Sequence, residues 1–172
     1  MRTIYKTISS AAAALLVAAS SSQEPPVRPV APRETPKDVL ELIAAKPELS
    51  LFAEAVKAAG LEATLRRKGP WTLFAPTNEA FRALPDGTLT EWAKPENRGV
   101  VSEVMSYHVV RGLIPTDGVS TADLTTLQGS RMVLKNADGM LWVGRAEVLQ
   151  RDIEGTNGVV HVINMVMEPD AQ

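Results

Sequence analysis

Cysteine is absent from this 172-residue chain, so no disulfide framework and no thiolate metal site can stabilise it. Aromatic residues make up only 5% of the sequence, and histidine occurs twice, at His108 and His161. Two distant histidines do not have the spacing of a metal site, and the aspartates show no calcium-loop pattern. The sequence therefore predicts a domain that depends on its apolar core and binds no metal and no cofactor.

A surplus of basic residues is also missing. The chain holds 18 Lys and Arg against 20 Asp and Glu, a formal net charge of −2. Its one basic run, Arg66-Arg67-Lys68, stands just before Gly69-Pro70, where cations favour the C-terminal end of a helix. Binding to nucleic acid needs clustered basic residues, so nucleic acid is not expected as a partner.

No apolar run reaches the roughly twenty residues that a membrane-spanning helix needs. Residues 1–20 contain Arg2 and Lys6, then the uncharged run Ile8–Ala19 with small residues at its end. This is the pattern of a secretory signal peptide, which we expect to be cleaved at about residue 20. The mature chain would then carry 16 Lys and Arg against 20 acidic residues. We predict a secreted or periplasmic protein with no membrane span after cleavage.

Proline dominates the next segment. Five prolines lie between Gln23 and Pro36, with no aromatic residue among them. This composition favours an extended, solvated chain, so we interpret residues 21–34 as a disordered tether. Residues 35–169 are then predicted to form one folded domain, since no internal repeat of the kind that builds solenoids or propellers is visible.

Helical signals fill the first half of the domain. Thr35 before Pro36 predicts a helix with Thr35 as its N-cap. The spacing of Leu49, Phe52 and Val56 predicts a second helix that ends at Gly60, with one more turn after it. Further helices are predicted from a start at Pro76-Thr77, from the capping-box spacing of Thr88 and Glu91, and from the apolar stripe Val100, Val101, Val104 and Met105.

Strand signals appear once among the helices and fill the second half of the domain. The apolar run Trp71–Ala75 predicts a strand that is covered on both faces. Val109 and Val110 predict a short strand, and Arg131–Lys135 with Met140–Val143 predict a β-hairpin. A last strand is predicted over Val159–Met167. Because helices lead and strands close the chain, an α+β fold with a mixed or antiparallel sheet is favoured over repeated βαβ units.

Three segments stand out in this order: TLFAPTNEAF at 72–81, YHVV at 107–110 and GTNGVVHVINMV at 155–166. Together they resemble the two homology boxes and the central Tyr-His motif of the fasciclin domain. The resemblance implies a β-wedge sheet with a helical cap and a role in adhesion at or outside the cell surface. Asn78 and Asn164 stand where Asp is frequent in the family, and Arg111 where many members carry Pro, which leaves the ligand open.

The resemblance links the segment Tyr107, His108, Val109 and Val110 to adhesion, which makes these four the candidate partner-binding residues. The residues themselves favour a different interpretation of Tyr107 and His108. A tyrosine beside a histidine at a helix-to-strand junction fits a buried, hydrogen-bonded pair, because buried polar groups are normally paired and such pairs specify a fold.

Five other motif residues are interpreted as structural. Thr77 and Asn78 are expected to cap the helix that follows Pro76. Asn157 and Gly158 belong to the turn before the last strand. His161 lies among valines and is expected to be a hydrogen-bonded core histidine.

Catalytic motifs are lacking, since the chain has no Gly-x-Ser-x-Gly elbow, phosphate-cradling loop or zinc-protease helix. A carboxylate pair acting on glycans leaves little local trace. Glu147, Asp152 and Glu154 are interpreted instead as a solvated strand edge that discourages pairing. We predict that the protein is not an enzyme.

The leading hypothesis is an exported binding module that mediates cell adhesion or association with a surface or matrix, through contacts with a protein or polysaccharide. The sequence has no Arg-Gly-Asp tripeptide, because Arg111-Gly112 is followed by Leu113. Two alternatives stay open. One is a carrier of a small molecule or lipid in an apolar cleft. The other is a structural surface protein that self-associates, with the last strand as an exposed edge.

Overall fold

Helices come first and strands follow in this chain, as its sequence predicts. A computed structural model describes residues 37–116, 118–137 and 139–169. The predicted leader and tether, residues 1–34, and the predicted cap Thr35 lie outside the described residues. Within them, the α-helices are α1 (Val39–Ala44), α2 (Ser50–Ala58), α3 (Glu62–Leu65), α4 (Asn78–Arg82), α5 (Thr88–Trp92) and α6 (Arg98–Tyr107). Short 3-10 turns at Pro47–Leu49 and Pro95–Asn97 lead into α2 and α6.

Seven strands make up one sheet with the order β2-β1-β7-β6-β5-β4-β3. Their bounds are β1 (Trp71–Pro76), β2 (Val109–Arg111), β3 (Thr121–Thr125), β4 (Arg131–Ala137), β5 (Met140–Val143), β6 (Ala146–Gly155) and β7 (Gly158–Ile163). The β1–β7 pair is parallel and the other pairs are antiparallel, so the predicted mixed sheet is confirmed. Strands β3 and β6 were not predicted.

The two edges of the sheet meet, which gives it the shape of a wedge. Val110 in β2 forms a bridge with Thr126, just past the end of β3. The Leu127 amide donates to the Val109 carbonyl at 2.6 Å. Curling the sheet on itself leaves few unpaired backbone groups along either edge strand.

Two helix starts differ from the prediction. Helix α1 begins at Val39 because Asp38 and Glu41 form a reciprocal capping box, with the Glu41 amide 2.8 Å from Asp38 Oδ1. Thr35 is therefore not its N-cap. The box predicted at Thr88 is absent, since Gly87 precedes α5 with a φ of 89° and no side-chain cap. Glu91 forms an ion pair with Lys94 instead.

The last strand lies inside the sheet. β7 pairs with β1 on one side and β6 on the other, ends at Ile163, and is buried along its whole length. The prediction that it extends to Met167 and forms an exposed edge is wrong. β6, which carries Glu147, Asp152 and Glu154, is also an inner strand at Glu147, which pairs with Trp142 in β5, so the predicted solvated edge is wrong for Glu147. The later part of β6, with Asp152 and Glu154, pairs with β7 alone.

The central strands carry two cores, one on each face. In β1, Leu73 and Ala75 pack against the helices, whereas Phe74 packs inside the wedge. β7 repeats this division with Val160 and Val162 on the helical side and Ile163 inside the wedge. This double coverage explains why both strands are nearly continuous apolar runs. The α6 stripe is narrower than predicted, because Val100 is 51% exposed.

Asn157 and Gly158 join the sheet to the helices at one end of β7. The Asn157 side chain accepts from the Val39 amide at 3.0 Å and donates to the Leu65 carbonyl at 2.7 Å, which ties α1 to α3. Its carbonyl accepts from the Trp71 amide at 3.0 Å. A Cβ on Gly158 would lie 2.1 Å from the Trp71 carbonyl oxygen, so only glycine fits here.

Replacing Gly158 by alanine should therefore separate β1 from β7. We expect Gly158→Ala to lower the free energy of unfolding by more than about 2 kcal/mol, as overpacking against a backbone does. Gly99→Ala is the matched control, since a Cβ at Gly99 meets nothing within 4 Å and alanine favours the helix. Urea unfolding of both variants measures the difference, and similar values for the two would contradict the close approach.

Candidate functional site

The four candidate partner-binding residues lie at the junction of α6 and β2, and all are buried. Tyr107 is 9% exposed, His108 and Val109 are 0% exposed, and Val110 is 2% exposed. Val109 packs in the helical core, while Tyr107 and Val110 pack inside the wedge. Direct contact between these side chains and a partner stays a prediction. For His108, Val109 and Val110 it would need the junction to open first.

His108 fastens three parts of the chain together. Its Nε2 accepts from the Met167 amide at 3.0 Å, so the ring proton is on Nδ1, which lies 2.7 Å from the Val104 carbonyl oxygen. Its own carbonyl accepts from the Phe74 amide at 2.9 Å. One residue thus connects α6, β1 and the segment that follows β7.

Complete burial of His108 lowers its pKa from 6.5 to about 4, although the hydrogen bond to Val104 partly opposes the shift. Protonation would place a second N–H against the Met167 amide, where no acceptor is offered. The imidazole is therefore neutral at neutral pH, and its two nitrogens are used by the fold.

His161 in β7 has the opposite tautomer. Its Nδ1 accepts from the Asp152 amide at 3.1 Å, which leaves the proton on Nε2, 3.2 Å from the Ile114 carbonyl oxygen. The ring stacks on Phe74 with centroids 5.3 Å apart. Burial lowers the pKa of His161, and the Asp152 carboxylate and the Ile114 carbonyl partly oppose that shift.

Neither histidine offers a free nitrogen to a metal. Among the described residues, no group of three or more His, Asp or Glu side chains could hold an ion. In the same part of the chain, every buried side-chain nitrogen and oxygen has a hydrogen-bond partner. The polar interior is used for structure, and the chemistry available to a partner lies on the surface.

Thr77 and Asn78 connect α4 to its surroundings. Thr77 is the N-cap of α4, with its hydroxyl 3.2 Å from the Ala80 amide. Asn78 reaches instead to the start of α2, where its Oδ1 accepts from the Leu51 amide at 3.0 Å and its Nδ2 donates to the Pro47 carbonyl at 2.9 Å. Both side chains therefore fix helix positions.

An open groove of about 630 Å³ lies beside the Tyr-His junction. Its walls come from α4 and the loop after it, the end of α6, the β5–β6 turn and residues 164–169. They combine apolar side chains with one cation, one carboxylate and one amide. The lining residues are Ala80, Ala83, Leu84, Pro85, Tyr107, Gly144, Arg145, Asn164, Met165, Val166, Met167, Glu168 and Pro169.

The Tyr-His motif shapes this groove. Tyr107 lines it directly, and His108 holds Met167, one of its wall residues, in place. Sequence reasoning missed the groove because its residues come from four separate elements. The apolar residues Met165, Val166 and Met167 are the available signal, but their pattern predicts an extension of the last strand.

A fasciclin-domain family model matches residues 47–169 of this chain. The chain belongs to the fasciclin-domain family. Protein sll1483 of Synechocystis sp. is 40% identical over 131 residues, which covers 76% of this chain and 73% of that protein. Transforming growth factor-beta-induced protein ig-h3 of Sus scrofa is 35% identical over 134 residues, or 77% of this chain and 19% of ig-h3.

The fasciclin fold is also found in a solved structure. A FAS1 domain pair from the insect cell adhesion molecule fasciclin I superposes with a TM-score of 0.58, covering 78% of this chain and 51% of the pair. Sequence identity is 16%, so this likeness concerns the fold alone. The predicted β-wedge with a helical cap is confirmed. This fasciclin-domain chain spans about half of the insect pair and about one fifth of ig-h3.

Acid should weaken this domain through His108. In the folded protein the pKa of His108 is about 4, below the ordinary 6.5 of an unfolded chain. The free energy of unfolding is therefore highest above pH 6.5 and decreases as the pH falls towards 4. We expect a loss of about 3 kcal/mol in the free energy of unfolding over that window. The pKa of His161 is also lowered, so its protonation adds to this loss of stability in acid.

Proton NMR of the two imidazoles between pH 3 and 8, run alongside urea unfolding, checks this prediction. The His108 ring should stay neutral until the pH approaches 4. Titration of that ring near 6.5 in the folded protein would show that it is solvated and not clamped between α6 and Met167.

Proposed function

We propose that this fasciclin-domain protein is an exported binding module that mediates cell adhesion or association with a surface or matrix. A surface protein or polysaccharide would bind in the groove beside the Tyr-His junction. The observation that carries the proposal is the link from the motif to the groove, since Tyr107 lines it and His108 fastens Met167 in its wall. The adhesion role that the family resemblance attaches to the motif would then act through the groove.

The chemistry of the groove suits a segment of protein or sugar chain. Apolar side chains such as Leu84 and Met165 offer contact area, while Arg145, Asn164 and Glu168 offer polar groups at its walls. Met165 is 47% exposed, so its apolar side chain is accessible to a partner in the groove. An open groove of this size supports modest affinity, which many copies on one surface would raise through avidity.

A binding role, and not catalysis, is supported by the use of the titratable interior. Both histidines are neutral and have their ring nitrogens hydrogen-bonded to backbone groups. General acid–base work needs a group within reach of a substrate. His108 and His161 are each 0% exposed, so neither meets that condition.

Export is supported by the leader pattern of residues 1–20. Among the residues that the structure describes, no helix is long and apolar enough to cross a membrane. The partner would then be met in the periplasm or outside the cell.

Blocking the groove tests the proposal. Ala83 is exposed at the C-terminal end of α4 and lines the groove, so Ala83→Trp should fill it without disturbing the core. Ala58→Trp is the matched control, because Ala58 is exposed at the C-terminal end of α2 and does not line the groove. Cells that lack the gene are complemented with the parent protein or with either variant, and adhesion is measured.

We expect deletion to lower adhesion, the parent and Ala58→Trp to restore it, and Ala83→Trp to restore less than about a tenth, the loss that 1.4 kcal/mol of binding energy represents. Purified proteins on an array of glycans and surface proteins should follow the same order. Full adhesion after deletion overturns the adhesion role. If Ala83→Trp and Ala58→Trp restore adhesion equally, the groove is not the site that mediates it.

A carrier of a small molecule or lipid is the second candidate, because the groove volume of about 630 Å³ falls in the range of ligand sites. Native mass spectrometry of the protein purified from its own host distinguishes the two. A bound small molecule that Ala83→Trp displaces and Ala58→Trp retains would favour the carrier.

A further inference from the structure

The outer face of β3–β6 carries apolar side chains that nothing in the described domain covers. Residues of β4 and β5 alternate strictly, with Met132, Leu134, Leu141 and Val143 packed inside the wedge. Their neighbours point outward. Among the seven large apolar residues that are exposed in the described chain, three lie on this face: Val133 at 43%, Met140 at 46% and Leu149 at 52%.

A row of four side chains crosses this face from strand to strand. Thr121 in β3 pairs with Lys135 in β4, Lys135 with Trp142 in β5, and Trp142 with Glu147 in β6. Strands lie about 4.8 Å apart, so Lys135 and Glu147 stand at about equal distances on either side of the indole. The row therefore has a cation, an aromatic ring and a carboxylate in sequence.

This row is complementary to itself. A two-fold axis that runs along β5, in the plane between two facing copies, places Trp142 over Trp142 and exchanges the strands on either side. Lys135 of each copy then faces Glu147 of the other. This is the relation that an isologous dimer requires, since the same patch serves on both copies.

The neighbouring row fits the same operation. Ala137 in β4 pairs with Met140 in β5, and the axis along β5 puts Met140 over Met140. Leu149, two residues after Glu147 in β6, is 52% exposed. Exposed apolar side chains thus stand beside the row that pairs charges.

We propose that the outer face of β3–β6 is a self-association surface on which a second copy of this chain packs about a two-fold axis that passes between the two Trp142 side chains. Charge complementarity favours a second copy over an unlike partner. Neither Lys135 nor Glu147 belongs to a salt bridge within the described residues, where the ion pairs are Lys46–Glu48 and Lys94–Glu91. The Glu147 carboxylate accepts one long hydrogen bond of 3.5 Å, from Asn164 Nδ2, and a charged partner at Lys135 of the second copy would compete with it.

The size of the face predicts weak association. Four strands at about 4.8 Å by five residues at about 3.3 Å give roughly 300 Å² of flat face, against about 800 Å² per partner in a typical stable complex. We expect a dimer that dissociates between about 10 µM and 1 mM. Such a dimer forms where many copies are held close together, and its surface contains none of the groove residues.

Charge reversal in the full chain tests the proposal by sedimentation velocity at increasing concentration. Lys135→Glu places two like-charge contacts in the dimer and should weaken it at least about tenfold. Adding Glu147→Lys to the same protein restores opposite charges and should return the dissociation constant to within about threefold of the parent. Trp142→Ser should abolish association. Val100→Lys, on the exposed side of α6, is the control and should change nothing.

Circular dichroism confirms that each variant is folded, and the parent dimer should weaken as salt is raised. A parent that stays monomeric up to about 1 mM, the weak end of the range expected for a face this small, overturns the proposal and leaves the face to an unlike partner. Association that Val100→Lys abolishes and Trp142→Ser does not would place the interface elsewhere. A double reversal as weak as the single one would refute the two-fold pairing.

Discussion

The close approach of β1 and β7 at Gly158 is the constraint on which the rest of this fold depends. The two strands are the parallel pair of the sheet, and their backbones meet where a Cβ on Gly158 would lie 2.1 Å from the Trp71 carbonyl oxygen. Parallel strands need a long connection. Here that connection contains α4, α5, α6 and five strands, so the register at Gly158 joins the two ends of the domain. Asn157 extends the junction to α1 and α3 through its side chain.

The two buried histidines each hydrogen-bond one backbone amide and one backbone carbonyl, and they do so with opposite tautomers. Backbone groups at the ends of strands and helices need partners, and water is excluded from both places. His108 presents a donor at Nδ1 and an acceptor at Nε2, whereas His161 presents the reverse. A neutral imidazole is suited to this task because it offers one of each on a rigid ring. The cost is sensitivity to acid, since protonation removes the acceptor in both places.

Local signals predicted part of this arrangement. The run Trp71–Ala75 and the hairpin of β4 and β5 follow from apolar periodicity, and Gly60 ends α2 with a φ of 73°. β3 was missed because a single side chain, Leu124, is buried in it. β6 was missed because two register shifts interrupt its alternation, and Asp152 in the second of them has a φ of 57°. The groove could not be predicted, since its walls depend on how four elements come together. Burial of Tyr107 and His108 could be predicted, because a polar pair at a helix-to-strand junction is normally buried with its hydrogen bonds made.

A fully paired interior determines where this domain can act. Every buried polar side chain of the described residues has a hydrogen-bond partner. A ligand would gain no new hydrogen bond by entering the core, so it would have to bind groups on the surface. Two surfaces are available, the groove next to the Tyr-His junction and the outer face of β3–β6. They meet at the β5–β6 turn, where Arg145 lines the groove and Glu147 shares hydrogen bonds with Asn164. A partner bound in the groove therefore contacts the same turn that a second copy would press upon.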